Sequence, residues 1–267
     1  MICMNNITNR NNVTEQYSND KNLATRMKLH VKHSTAKISL GQWLFNQYDF
    51  SSPCRILELG CGNGMLWEDR MDTLPSESML VLTDLSEGMV RNVWEKYSEK
   101  PNVIALKADI EELPFADGSF DRVIANHMLY HVPDIPKALG EVKRILKPGG
   151  VFYSSTNGNG GMEQYLHETL KKFNPGIDAF RSEFTFTLQN GEKLLNPFFS
   201  SVEMRIFEDS LDITDTKDLV EWIESSISIS NVRAEDLHGL YDFFEEIRIR
   251  DGSIKIPKEV GTFISIK

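Results

Sequence analysis

Glycines at alternate positions, Gly60, Gly62 and Gly64, follow the apolar run RILEL at residues 55–59. Glycine lets a backbone approach a ligand closely and adopt conformations closed to larger residues. The register is G-C-G-N-G-M. The last glycine therefore comes one residue earlier than in the dinucleotide fingerprint G-x-G-x-x-G, and Met65 stands in its place. No Lys-Ser/Thr pair follows, as a triphosphate-binding loop requires. Asp84 closes the next apolar run, MLVLTD, where a carboxylate can accept from the two hydroxyls of a ribose. After a further run, VIALKAD, Asp109 can accept from an exocyclic amine and Ile110 can pack on a ring. These residues together describe a pocket for a nucleoside without a phosphate tail.

His127 and His131 follow the next apolar run, DRVIAN, and are the candidate general bases. A base matters only where the reacting group must lose a proton. Their i, i+4 spacing also suits a metal pair, but there is no H-E-x-x-H pattern and no third ligand, so no metal site is expected. A hydrogen-bonded packing role is the alternative for each. His30, His33 and His167 lie in segments that can cover the site and read as surface histidines.

These residues need strand ends to hold them. RILELG, MLVLTD, VIALKAD, DRVIANHM and GGVFYSST are apolar nearly throughout, as parallel strands covered on both faces are. Helical spacing separates them. Trp67, Met71 and Leu74 predict a helix that Pro75 stops. Ser86 can cap a helix carrying Met89, Val90, Val93, Trp94 and Tyr97. Asp134 begins another, with Ile135, Ala138, Leu139, Val142, Ile145 and Leu146 inward. Strand and helix in alternation predict an α/β, doubly wound parallel sheet. In such a sheet ligands bind beyond the carboxyl ends of the strands, where the glycine loop lies. Ahead of it, residues 1 to about 20 read as disordered, and two amphipathic helices follow over Leu23–Val31 and Ile38–Tyr48. Beyond Asn157, helices are expected near 161–173, 188–199, 216–226 and 234–250. Strands are expected at SVEMRIFED and GTFISIK.

The chain has 267 residues, 40% of them apolar and 25% charged, with a net charge of −10. That is an ordinary globular composition. The acidity argues against a protein that gains affinity by neutralising nucleic-acid phosphates. Cys3, Cys54 and Cys61 form neither a disulfide framework nor a zinc spacing. The Asn-rich N-terminus lacks an apolar signal region, and no run is long enough to span a membrane. A reduced, cytoplasmic protein is expected.

The motifs ILELGCGNG, LTDLSEGMV, ADIEELPFADGSFDRVIANHMLYHV and EVKRILKPGGVF occur in unbroken order over roughly residues 50 to 157. In this they resemble class I S-adenosylmethionine-dependent methyltransferases, most of all the ubiquinone/menaquinone-biosynthesis branch. The resemblance implies a Rossmann-like seven-stranded sheet with its last strand antiparallel, an N-terminal helical arm and a helical cap insertion. It divides the chain into an arm with lid helices over 1–50 and a methyltransferase domain over 51–267. Within that domain, 51–157 would bind cofactor and 158–250 would form the cap and the substrate side.

It also implies roles for residues. Glu58 would orient the loop and reach the amino group of S-adenosylmethionine, and the backbone of Gly60, Cys61 and Gly62 would line its methionyl part. Asp84 would hold the ribose, with Leu85 and Met89 against the adenine, Asp109 at the adenine amine and Ile110 at the ring edge. Asn126 would give a backbone contact to the ammonium, with His127 near the sulfonium. Tyr17 and Arg26 of the arm would supply a hydroxyl and a carboxylate contact. Phe184, Phe186, Phe198 and Phe199 would either line an apolar acceptor pocket or form the core of the cap. The expected activity is methylation of a small molecule at O, N or C, with S-adenosylhomocysteine as product. A protein acceptor and a non-catalytic binder of either cofactor form are the alternatives. NHML stands where amino-base methyltransferases carry D/N-P-P-Y/F, which argues against nucleic acid. Neither the oligomeric state nor the identity of the acceptor can be read from these motifs.

Overall fold

A computed structural model describes residues 8–10, 21–180, 184–227 and 232–267. Its main sheet contains β1 (Arg55–Leu59), β2 (Met79–Asp84), β3 (Val103–Lys107), β4 (Phe120–Asn126), β5 (Leu146–Asn157), β6 (Ser201–Phe207) and β9 (Val260–Ile266), in the order β3-β2-β1-β4-β5-β9-β6. Pairing from β3 through β5 is parallel, and β9 runs antiparallel between β5 and β6. The chain leaves β1 on one side for β2 and β3, then returns to place β4 on the other. The loops after β1 and β4 therefore open at the switch point, where a crevice forms. This is the seven-stranded architecture the motifs imply.

Two core helices follow the expected logic. In α3 (Glu87–Tyr97) the Ser86 side chain accepts from the Met89 amide, and Met89, Val93 and Tyr97 are buried. In α4 (Ile135–Ile145) Asp134 accepts from the Lys137 amide. Ile135, Ala138, Leu139, Val142 and Ile145 all point inward. The segment after the glycine loop departs from expectation. In place of one α-helix there are two single 3₁₀ turns, Met65–Trp67 and Met71–Thr73. Gly64 enters the first from the left-handed region (φ 72°), and Leu74 is already extended ahead of Pro75. Trp67 is nonetheless fully buried, because its indole has a partner in the site.

The flanking segments contain α1 (Lys21–His33), α2 (Leu40–Phe45), α5 (Met162–Phe173), α6 (Gly191–Leu195), α7 (Thr216–Glu224) and α8 (Leu240–Asp251). The helix expected near 188–199 is thus a short one. The short strands β7 (Ser210–Ile213) and β8 (Ile254–Pro257) pair antiparallel in a second sheet that the sequence did not signal. Leu29 of α1 shares a buried cluster with Leu166 of α5, Leu219 and Ile223 of α7, Phe244 of α8 and Ile254 of β8. The His33 ring, 4% exposed, is 2.9 Å from Asp218, which also takes an ion pair from Lys32. Burial and pairing together pin α1 to α7. Among the described residues no helix is long and apolar enough to cross a membrane.

Candidate functional site

The glycine loop is tied to β2 through Thr83. The Cys61 amide donates to the Thr83 carbonyl at 2.9 Å, and the Thr83 hydroxyl donates to the Glu58 carbonyl at 2.9 Å. Gly60 and Gly62 have φ of 65° and 56°, the left-handed region that disfavours a side chain. A Cβ on Gly60 would lie 2.9 Å from Cβ of Met128, so the loop after β4 closes against bare backbone. Burial pushes the Cys61 thiol well above its ordinary pKa, leaving it a neutral lining group.

Behind the loop sits Glu58, 3% exposed. Its Oε2 accepts from the Trp67 indole at 2.6 Å and its Oε1 from the Asn126 amide at 3.3 Å. Burial raises its pKa to about 7, against these two donors. A carboxyl at that balance can ionise when a cation arrives beside it. The network continues outward. The Ser155 hydroxyl donates to Asn126 Oδ1 at 3.0 Å, and the Tyr48 hydroxyl lies 2.9 Å from Asn126 Nδ2. Trp67, Tyr48 and Ser155 were not foreseen as site residues. Each reads in the sequence as an ordinary apolar or strand position.

Asp84 stands at the end of β2, as expected. Its Oδ2 accepts from the Gly62 amide at 2.9 Å and its Oδ1 from the Ser86 amide at 2.8 Å. With the Leu85 amide, these donors use about three of the four lone-pair sites of a carboxylate, leaving capacity for a hydroxyl donor. Burial raises its pKa. Leu85 next to it is half-buried. Met89 and Ile110 are core residues, 0% and 5% exposed. Asp109 is half-buried and pairs with Arg10 at 2.6 Å, while the other arm of that guanidinium holds Glu111 at 2.8 Å. A residue of the N-terminal segment therefore reaches over the end of β3.

At the end of β4, His127 has φ of 50°, rare for a residue with a side chain and frequent where function fixes the backbone. Its amide donates to the Ser155 carbonyl at 3.0 Å. Its Nε2 is buried and has no hydrogen-bond partner among the described residues. Burial, with Lys258 nearby, lowers its pKa to about 4. His131 ends a 3₁₀ turn, half-buried, its ring 4.6 Å from that of Tyr130. Tyr130 in turn meets Phe184 at 4.7 Å. Phe186 and Phe199 belong to the core of the main sheet, with Phe198 packed against it.

The expectation of surface histidines does not hold. His30 Nδ1 is buried and unpartnered, His33 is bound to Asp218, and His167 Nδ1 lies 2.7 Å from the Ala179 carbonyl. Arg26 is half-buried on α1, and Tyr17 lies outside the described residues. Among the described residues no cluster of His, Cys, Asp and Glu is arranged to hold a metal.

The residues present fit S-adenosylmethionine. Gly60 and Gly62 keep the loop's backbone bare of side chains, Asp84 keeps acceptor capacity for a ribose, and Glu58 can meet an ammonium. Comparison with known proteins points the same way. Residues 57–154 match the family described as Methyltransferase domain. The chain is similar to an uncharacterized chloroplastic methyltransferase of Arabidopsis thaliana, 35% identical over 136 residues, which are 48% of this chain and 35% of that protein. It is also similar to malonyl-[acyl-carrier protein] O-methyltransferase 2 of Ilyobacter polytropus, 27% identical over 179 residues, 66% of this chain and 67% of that one. The crystal structure of the YcgJ protein of Bacillus subtilis shares the fold, with a TM-score of 0.59 and 18% identity over 85% of this chain and 97% of that one. The chain thus spans about a third of the Arabidopsis protein's length. None of these names refers to quinone biosynthesis.

Proposed function

We propose that the chain is a class I S-adenosylmethionine-dependent methyltransferase, a reading supported by its match to the methyltransferase domain over residues 57–154, and that it methylates a small-molecule acceptor at O, N or C by in-line displacement. The observation that carries this reading is the bare glycine loop, held at positive φ, with Glu58 and Asp84 behind and beside it. S-adenosylmethionine, when bound, supplies the electrophilic methyl group and a thioether leaving group. The chain's task is then to hold, aim and exclude water. Orientation of this kind is worth ~7–11 kcal/mol where the geometry is a near-attack one.

In this assignment the backbone of Gly60, Cys61 and Gly62 lines the methionyl part. Glu58 meets the ammonium, joined there by backbone of Asn126, and Asp84 accepts from the ribose. Leu85, Met89, Asp109 and Ile110 belong to the adenine side, the two buried side chains supporting it from beneath. Arg26, with Tyr17, belongs to the covering arm. His127 and His131 would take a proton from an acceptor that must lose one. With a pKa near 4, His127 is neutral at pH 7 and a weak base. The name of the Ilyobacter relative favours one further reading, an acid carried as an acyl-carrier thioester.

Incubation with methyl-labelled S-adenosylmethionine and a cell extract tests the proposal. Label in the low-mass organic fraction, absent with Gly60→Ala, is the expected result. Label in protein alone would move the acceptor to a polypeptide. Consumption of none, with the cofactor bound, would make the chain a binder and not an enzyme.

A further inference from the structure

Two buried imidazole nitrogens have no hydrogen-bond partner among the described residues, Nδ1 of His30 and Nε2 of His127. One comes from α1 and one from the end of β4, and Lys258 acts on both. Lys258 lies within electrostatic reach of both rings, and His127 within reach of His30. An unpaired buried polar atom costs ~1–3 kcal/mol. Such atoms are rare in native proteins and ask for an explanation. Two of them around one lysine ask for a ligand.

Lys258 connects β8 to β9, 7% exposed at its side chain, and is bound to Asp209, whose side chain is 1% exposed. That carboxylate is saturated. Its Oδ2 takes Lys258, and its Oδ1 takes the Ser34 hydroxyl at 2.7 Å with the amides of Ser210 (2.8 Å), Ala36 (3.1 Å) and Thr35 (3.2 Å). It fixes the ammonium in place and has little left for a ligand. An ammonium has three donors, of which this ion pair uses one. Arg26 adds a further positive charge felt at His30.

Resting on the methyltransferase reading, we propose that His30, His127 and Lys258 form a pocket for the carboxylate of the methyl acceptor, so that the reaction is O-methylation of an acid to its ester. An ammonium-bearing acceptor would meet Lys258 and find its partner carboxylate, Asp209, already bound. A neutral hydroxyl would satisfy one ring nitrogen and leave the lysine field unused. A carboxylate can accept from the lysine and from both rings, and its charge offsets the Lys258 repulsion that adds to burial in keeping the rings neutral. It also needs no base, which suits imidazoles of such low basicity. A carboxylate oxygen takes the methyl group as the carbon–sulfur bond breaks, the electron pair leaving with sulfur. An ester and a thioether result, and no proton moves.

The test is binding, measured by calorimetry and by histidine ring resonances on the complex with S-adenosylhomocysteine. The probes are acetate, butyrate, octanoate, benzoate and monomethyl malonate, each against its own amide. At least one acid is expected to bind ten times more tightly than its amide and to shift both ring signals. His30→Leu and the charge-balanced pair Lys258→Met with Asp209→Asn are each expected to lose that preference at least fivefold while still binding S-adenosylhomocysteine. His30→Asn, which keeps a polar atom near the position of Nδ1, retains most of it. No acid preferred over its amide, or a preference untouched in both variants, overturns the proposal and leaves the methyltransferase reading standing. Failure of the wild-type protein to bind S-adenosylhomocysteine removes that reading, and the pocket with it.

Discussion

The two sides of the proposed site are built in opposite ways. The cofactor side comes from one stretch of chain, in which Glu58, the glycine loop, Asp84 and Asp109 follow one another at successive strand ends. The acceptor side draws His30 from α1, His127 from β4, Asp209 from beyond β6 and Lys258 from the turn before β9. The first is held by backbone geometry, with positive φ at Gly60, Gly62 and Gly64 and main-chain bonds to β2. The second rests on a buried ion pair between side chains, its carboxylate steadied by one hydroxyl and three amides. Backbone-built sites tolerate few substitutions and fail all at once. Side-chain-built sites can be retuned residue by residue, which suits the half of an enzyme that chooses its substrate.

Substitutions of graded severity sharpen that contrast. The largest effect is expected from Gly60→Ala. It forces a side chain into the left-handed region and to within 2.9 Å of Met128, at ~2–4 kcal/mol of folding stability. Urea unfolding should show that loss, and affinity for S-adenosylhomocysteine should fall more than a hundredfold. A stable, tight-binding variant would mean that the loop is not what holds the cofactor.

Glu58 comes next. Its folded pKa of about 7 lies above its ordinary 4.5, so the folded protein holds the extra proton between those values. Its contribution to stability is present below pH 4.5 and lost as pH rises through 7, on the order of 3 kcal/mol in all. His30 and His127, lowered to about 3 and about 4, act with the opposite sign up to the ordinary histidine value. The readout is therefore the difference between wild type and Glu58→Gln. That difference should grow in favour of the variant from pH 5 to pH 8, while its cofactor affinity falls. Calorimetry in buffers of unlike ionisation enthalpy should also show proton release when the cofactor binds the wild type near pH 6.5. A flat difference across that range would contradict the assignment.

The smallest effect belongs to Arg10. It is 47% exposed, and exposed ion pairs are worth ~0–1 kcal/mol. Arg10→Ala should shift unfolding by less than 1 kcal/mol and cofactor affinity by less than threefold. A larger change would make the N-terminal segment part of the cradle.

This division also decides what could be read from the sequence. The strands of the central sheet, the caps Ser86 and Asp134 and the inward face of α4 follow local patterning, and the structure reproduces them. The spacing of Trp67, Met71 and Leu74 is helical, but the chain breaks at Arg70 (φ −120°) and leaves two single 3₁₀ turns, a break with no signature in that spacing. β7 and β8 carry four residues each and find their partners across a long separation, so neither has a local signature. The surroundings of His30 include Asp209 and Lys258, far off in sequence, so its burial has no local signature. The aromatic run around Phe184 turned out largely to be core, since packing distributes such rings more often than ligands do.

The central claim is that the loop and Asp84 hold S-adenosylmethionine, and calorimetric titration tests it most directly. Wild type and Asp84→Ala would be titrated with S-adenosylmethionine and S-adenosylhomocysteine, with NADH as a control. The account predicts micromolar-range binding of the first two, about −8 kcal/mol, at least thirtyfold weaker in the variant, and none of NADH. Absence of binding, or binding that Asp84→Ala leaves unchanged, would contradict it.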